Sequence, residues 1–158
     1  MPNWCMNNVT ITGPIEKLEQ IEEAINKNQL FEYLSPIGEW DYGKALENWG
    51  CKWEANEVDY EIDTDSQTMT LNFDTPWGPP IAAYQAGETK HGLSIEATFY
   101  ESGMAFVGCY EDMEEETFSV DFEDEDWRDN VPSNLVEDWG LDDEYENWKE
   151  WQEDDEDA

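Results

Sequence analysis

Carboxylates and indoles are the reactive or sticky side chains this sequence offers in quantity. There are 41 Asp plus Glu and nine Trp among 158 residues, against seven Lys plus Arg and one His. General-acid, metal-binding and cation-binding chemistry are the options they raise. A hydrolytic nucleophile needs a base beside it. The sole imidazole, His91, stands in Lys90-His91-Gly92 at an expected helix-to-strand turn with no nucleophile motif around it. It reads as a surface or capping residue. The sequence has no Walker A run, no Gly-x-Gly-x-x-Gly loop, no His-Glu-x-x-His and no Cys-x-x-Cys. A glycosidase needs two carboxylates in a cleft, but acids this abundant make any single pair uninformative. Asp63-Thr64-Asp65-Ser66 alternates like a calcium loop yet lacks the following Gly and the closing Glu; it reads as a hairpin turn. Cys5, Cys51 and Cys109 are odd in number and widely spaced, which indicates neither a disulfide framework nor a zinc knuckle. The expectation is a protein that is not an enzyme and uses no cofactor or metal.

Two groups remain as binding candidates. The first is acidic and aromatic: Trp127, Trp139, Asp142, Asp143, Glu144, Tyr145, Glu146, Trp148 and Trp151, with Phe122 before them. Carboxylates on successive helical turns approximate the charge row of duplex DNA, one negative charge per ~1.7 Å of axis. Trp and Tyr supply the apolar anchors typical of interface hot spots. The competing reading is a solvated, charged helix that docks its aromatics on the rest of the chain. The second group is a Trp-rich loop with Trp49, Lys52 and Trp53, joined by Trp77. It reads either as core packing or as an alternative ligand site.

Charge narrows the partners. The formal net charge is −34, and nucleic acid and anionic lipid are both held by Lys and Arg. Direct contact with either is not expected, and a cationic protein becomes the natural partner. Residues 1–110 hold 18 acids and 5 bases, residues 111–158 hold 23 acids and 2 bases, so the last third carries −21 of the total. No apolar run approaches the ~20 residues of a membrane span. The opening Met1-Pro2-Asn3-Trp4-Cys5-Met6-Asn7-Asn8 lacks a signal peptide's basic and apolar regions. A reducing cytoplasm fits these features.

The elements that must position these groups follow from periodicity. Val9 and Ile11 alternate with Thr10 and Thr12, predicting a strand over Trp4–Thr12. Gly13-Pro14 breaks it and opens a helix with Ile15, Leu18, Ile21 and Ile25 on one face. An irregular stretch runs from Pro36 to Asn56. Val58–Asp63 and Met69–Phe73 alternate around Asp65-Ser66 and predict a hairpin. Ile81–Thr89 reads as a second helix after Pro79-Pro80, Leu93–Glu101 and Met104–Tyr110 as strands, and Thr117–Phe122 as an edge strand. The order β-α-β-β-α-β-β is the split βαβ pattern with an extra strand. Ser133 can cap a helix carrying Leu135, Val136 and Trp139; after Gly140, Leu141, Tyr145, Trp148 and Trp151 predict another. Glu153–Asp157 is a like-charge run expected to be disordered. The predicted organisation is an α+β domain over residues 1–122 and an acidic, aromatic, partly helical extension over 123–158.

Four segments resemble the YubB ferredoxin-like domain family, which is carried on plasmids, phages and prophages. They are Pro2-Asn3-Trp4-Cys5 with Asn8, Val9 and Gly13; Asn48-Trp49-Gly50-Cys51-Lys52-Trp53; Thr75-Pro76-Trp77-Gly78-Pro79-Pro80; and Tyr100-Glu101-Ser102-Gly103 with Phe106-Val107-Gly108. The resemblance implies a ferredoxin-like βαββαβ sandwich with an antiparallel sheet, an inserted Trp-rich loop and no iron–sulfur cluster. It implies a mobile-element origin and supplies no catalytic residues. Joined to the charge, it leads to the expectation of a non-enzymatic nucleic acid mimic, a phage protein inhibiting a cationic DNA- or RNA-binding or defence factor of a bacterial host. The alternative is a small-ligand-binding or regulatory domain that uses the Trp-rich loop.

Overall fold

The computed structural model describes the backbone of residues 4–157 and the side chains of residues 4–152. At its centre lies β1 (Trp4–Thr12), where Cys5, Asn7, Val9 and Ile11 turn inward at period two. It pairs antiparallel with β3 (Thr68–Pro76) on one side and β4 (Ser94–Glu101) on the other. β2 (Asn56–Asp63) extends the sheet beyond β3, and β5 (Phe106–Glu111) and β6 (Glu114–Ser119) extend it beyond β4. The six strands run in the order β2-β3-β1-β4-β5-β6, and every pairing is antiparallel. The protein is therefore of the α+β class, with a single six-stranded antiparallel sheet among the described residues.

One face of the sheet carries the larger core. Val9, Ile11, Met69, Leu71, Phe73, Ile95 and Ala97 meet Leu18 and Ile21 of α1 (Ile15–Asn26), Phe31 and Leu34 of α2 (Leu30–Leu34), and Ala83 and Tyr84 of α4 (Ile81–His91). Each such aliphatic or aromatic side chain, once buried, contributes about 1.5–3 kcal/mol. Half-buried acids serve this face by accepting from backbone amides. Glu54 takes the N–H groups of Phe31 and Glu32 at 2.8 Å each, satisfying the start of α2. Glu88 takes Ile95 N–H and the Tyr110 hydroxyl.

The opposite face has a second core, over β4–β6 only. Tyr100 and Val107 pack there with Val120, Trp127, Val131, Leu135, Val136, Leu141 and Tyr145. These come from a 3₁₀ turn (Trp127–Asn130), α5 (Ser133–Asp138) and α6 (Leu141–Asp157). Phe122 contacts Trp127, Tyr145 and Trp148 at centroid distances of 5.1, 5.5 and 6.1 Å, so packing crosses the expected boundary between residues 122 and 123. The rest of this face stays polar, with Asn8, Thr10, Thr70, Asn72, Glu96 and Thr98 lining a broad hollow of about 470 Å³.

Several expected elements shift. β6 begins at Glu114, three residues before the expected Thr117, because Asp112 and Met113 both take positive φ (54° and 69°) and close a two-residue hairpin after Glu111. Part of the stretch from Pro36 to Asn56 is helical: α3 (Tyr42–Asn48) starts where the Asp41 carboxylate accepts the Lys44 N–H at 2.9 Å. Ser133 is the first helical residue of α5, after Pro132, and its side chain makes no cap bond. The expected disordered run Glu153–Asp157 falls in the last turns of α6, whose side chains lie outside the described residues.

Candidate binding surfaces

The Trp-rich loop is split by burial. Trp49 is 3% exposed, meets the Phe31 ring at a tilt with centroids 5.8 Å apart and donates its indole N–H to Ser35 O at 2.8 Å. Its own carbonyl accepts Ala83 N–H at 3.1 Å, which ties the loop to the first turn of α4. Gly50 follows at φ +88°, where a Cβ would press on the Ile81 and Ala82 backbone nitrogens at 3.1 and 3.2 Å. Trp49 is thus a structural anchor and not a ligand contact. Above it the loop presents a surface cluster. Lys52 Nζ sits 4.9 Å from the Trp53 ring and 6.0 Å from that of Tyr42. Trp40 donates its indole N–H to Lys52 O, and Trp53 leans on Trp4 at 6.1 Å. Trp77 stands apart from these. At φ +69° and 53% exposed, it lines a different groove with Pro79, Phe99, Met104 and Phe106. The expectation that Trp49, Lys52, Trp53 and Trp77 form one site is corrected to a buried anchor, an exposed aromatic–lysine cluster and a groove wall.

The extension is likewise divided. Trp127 is 1% exposed and Tyr145 9% exposed, packed 5.6 Å apart, so neither is placed to touch a partner. Trp139 is half-buried against Tyr100 at 6.1 Å. The docking of aromatics onto the sheet therefore accounts for these three. Asp142 is exposed but accepts from Arg128 Nε at 2.6 Å, and the Arg128 guanidinium lies over Trp127 and Tyr145 at 4.6 and 5.1 Å. Asp143, Glu144 and Glu146 are exposed on α6, Trp148 is half-buried, and Trp151 is 72% exposed.

Glu144, Trp148 and Trp151 converge on a cleft of about 600 Å³ that sequence reasoning did not assemble. Its other wall is Asp121, Phe122 and Glu123 after β6, with Tyr100 and Val120 at the floor. Three carboxylates and four aromatic rings thus face one space. An ammonium or guanidinium entering it meets ring faces and carboxylates together, the combination that binds cations best once water is displaced. Burial, then the charges of Glu144 and Glu101, push the Tyr100 hydroxyl up to about 12, so it remains a neutral donor at physiological pH. Asp121 and Glu123 carried no helical periodicity, and no sequence signal points to them.

The remaining candidates resolve quietly. His91 Nε2 lies 2.9 Å from Tyr33 O, and its ring stacks on Tyr33 at 4.7 Å, as a capping residue would. The Asp63 carboxylate accepts Asp65 and Ser66 N–H, closing the β2–β3 turn. Among the described residues no cluster of His, Cys, Asp and Glu is arranged to hold a metal, and no helix is long and apolar enough to cross a membrane.

What the fold defines is a class, an α+β protein with one antiparallel sheet flanked by helices. No family model matches the chain, and no curated protein does. Among solved structures, protein api92 from Yersinia pseudotuberculosis, assigned to the family DUF1281, aligns at 16% identity with a TM-score of 0.39. That alignment covers 51% of this chain and 30% of the other, and at this TM-score it carries no argument.

Proposed function

We propose that this protein is a non-enzymatic acidic binding protein that engages a cationic protein and covers a surface otherwise used for nucleic acid. The observation that carries the reading is the cleft between α6 and the segment after β6, where Asp121, Glu123 and Glu144 share one space with Phe122, Trp148 and Trp151. It would accept a Lys or Arg side chain, while the exposed Asp143 and Glu146 steer encounter from the rim. A DNA- or RNA-binding or defence factor of a bacterial host suits this charge, and a phage or other mobile element suits the YubB resemblance. The strand order β4-β1-β3-β2, with α1 and α4 on one face, supports a ferredoxin-like core to which β5, β6 and the extension are added. A second reading, ligand binding at the loop, draws on the exposure of Trp40 and Tyr42 beside Lys52.

The test is competition. A partner captured from bacterial lysate at ~0.05 M salt is expected to leave as salt rises to ~0.5 M, where the screening length falls several-fold. Captured partner should release duplex DNA or RNA on binding. Glu123→Gln with Glu144→Gln is expected to slow association, and Trp148→Ala with Trp151→Ala to speed dissociation. A partner held equally at both salts, or one that keeps its nucleic acid in the complex, overturns the mimic reading.

A further inference from the structure

The β5–β6 hairpin leaves a patterned edge. Its two-residue turn makes Glu111 and Glu114 a hydrogen-bonded pair, so bonding alternates from there: Cys109 with Glu116, then Val107 with Phe118. Val120 N–H to Ala105 O at 2.8 Å continues the same phase. The N–H and C=O groups of Glu115, Thr117 and Ser119 therefore point away from β5, at the end of the sheet. These three residues are exposed, and their side chains line the groove of about 550 Å³ that also contains Trp77, Pro79, Met104 and Phe106. The groove floor is apolar: Phe99 and Phe106 meet edge-on at 6.1 Å, and Gly108 lets the Phe99 ring lie across β5, where a Cβ would overlap that ring and the Glu116 carbonyl. On the opposite face of β6, Glu114 and Glu116 project outward.

We propose that this edge docks an extended polypeptide segment in which basic and apolar residues alternate. A strand added to β6 places the residues opposite Thr117 and Ser119 on the groove face, beside Phe106, Met104 and Trp77. The residues opposite Glu114 and Glu116 fall on the other face, beside carboxylates. Backbone hydrogen bonds supply affinity, and the two faces together select an apolar–basic repeat. A second copy of this chain is a poor occupant, because it brings another −34 of charge to an edge already lined with glutamates.

The probes are fluorescein-labelled (Lys-Ile)4 and (Glu-Ile)4, titrated against the full chain by anisotropy. Thr117→Pro removes the outward N–H, and Pro is tolerated on an edge strand at such a position. (Lys-Ile)4 is expected to bind wild type and to bind Thr117→Pro roughly tenfold more weakly, the scale of one or two lost hydrogen bonds. Trp77→Ser, at a side chain more than half exposed, is expected to weaken binding too, and serves if Thr117→Pro does not fold. Saturation should slow amide exchange at Glu115, Thr117 and Ser119, while (Glu-Ile)4 does not bind. In Glu144→Gln with Trp151→Ala, saturating (Lys-Ile)4 should still slow exchange at Glu115, Thr117 and Ser119, which separates this edge from the cleft. Equal binding to wild type and Thr117→Pro, unprotected edge amides, equal affinity for (Glu-Ile)4, or a wild-type dimer dissolved by Thr117→Pro each overturns the proposal.

Discussion

Trp127→Ala tests whether the acidic extension is part of the fold or an appendage to it. The side chain is 1% exposed and contacts Phe122, Tyr145 and the Arg128 guanidinium at centre distances of 5.1, 5.6 and 4.6 Å. Emptying such a site costs about 3–5 kcal/mol when the surroundings collapse only partly. One term runs the other way: among the described residues no acceptor meets the buried indole N–H, and its desolvation of about 1–3 kcal/mol is recovered on truncation. The net loss for alanine is therefore expected at about 2 kcal/mol. Trp127→Phe drops the unpaired donor and keeps most of the ring, so it is expected within about 1.5 kcal/mol of wild type. Urea unfolding followed by circular dichroism reads both, and a single transition should shift as a whole. An unchanged midpoint for Trp127→Ala, or an extension that melts separately while the sheet stays intact, refutes the view that the second core binds it.

Trp49→Ala is expected to cost about 3–5 kcal/mol in the same assay, and Trp49→Phe about 1–3 kcal/mol, because the Ser35 carbonyl loses its indole donor. All three thiols titrate above their usual range: burial, then the Glu54 charge, push Cys51 up to about 12, and burial leads for Cys5 and Cys109 also. Native protein at pH 8 should thus alkylate far more slowly than protein in urea, since only the thiolate reacts. Their contribution to stability is fully present below the unfolded thiol value of ~8.5 and is lost as pH rises through the folded values. The melting temperature should accordingly fall above about pH 9, and a flat profile there contradicts the burial of these groups.

The strands and the first helix were legible because period-two and 3.6-residue patterns are written by burial itself. Val9 with Ile11, and Leu18 with Ile21, are core residues for the reason that made them visible. The start of β6 was not legible, because its turn uses Asp112 and Met113 at positive φ without the glycine that would announce it. The site was harder to read, for a geometric reason. Leu141, Tyr145 and Trp148 lie on one helical stripe, whereas Trp151, ten residues after Leu141, falls about 80° off it at ~100° per residue. Spacing shows that stripe but not which aromatic leaves it. Nor could spacing bring Asp121 and Glu123 to face Glu144, since that meeting depends on how α6 crosses the sheet. Trp77 misled because its neighbours Pro76 and Pro80 are buried while its own positive φ turns it outward.

The number of acids alone says little about binding, because many of them are already employed. Glu32, Glu54, Glu88 and Glu101 accept backbone N–H groups, and Asp41 caps α3. Four of the seven Lys and Arg are committed as well: Lys27 to Glu23, Arg128 to Asp142, Lys52 to Trp53 and Tyr42, and Lys149 to Tyr145. What remains on the outside is acid in large excess over Lys17, Lys44 and Lys90, and it acts on two equilibria with opposite sign. Self-repulsion destabilises the compact chain, so added salt favours folding. For the cationic occupants proposed for the cleft and the β6 edge, the same unscreened field favours encounter, so added salt is expected to oppose their association. A partner that neutralises these acids thereby stabilises the fold it binds. The excess charge is a cost to the free protein that a cationic occupant or concentrated salt relieves, and this coupling, more than the count of carboxylates, is what ties the composition to the proposed binding role.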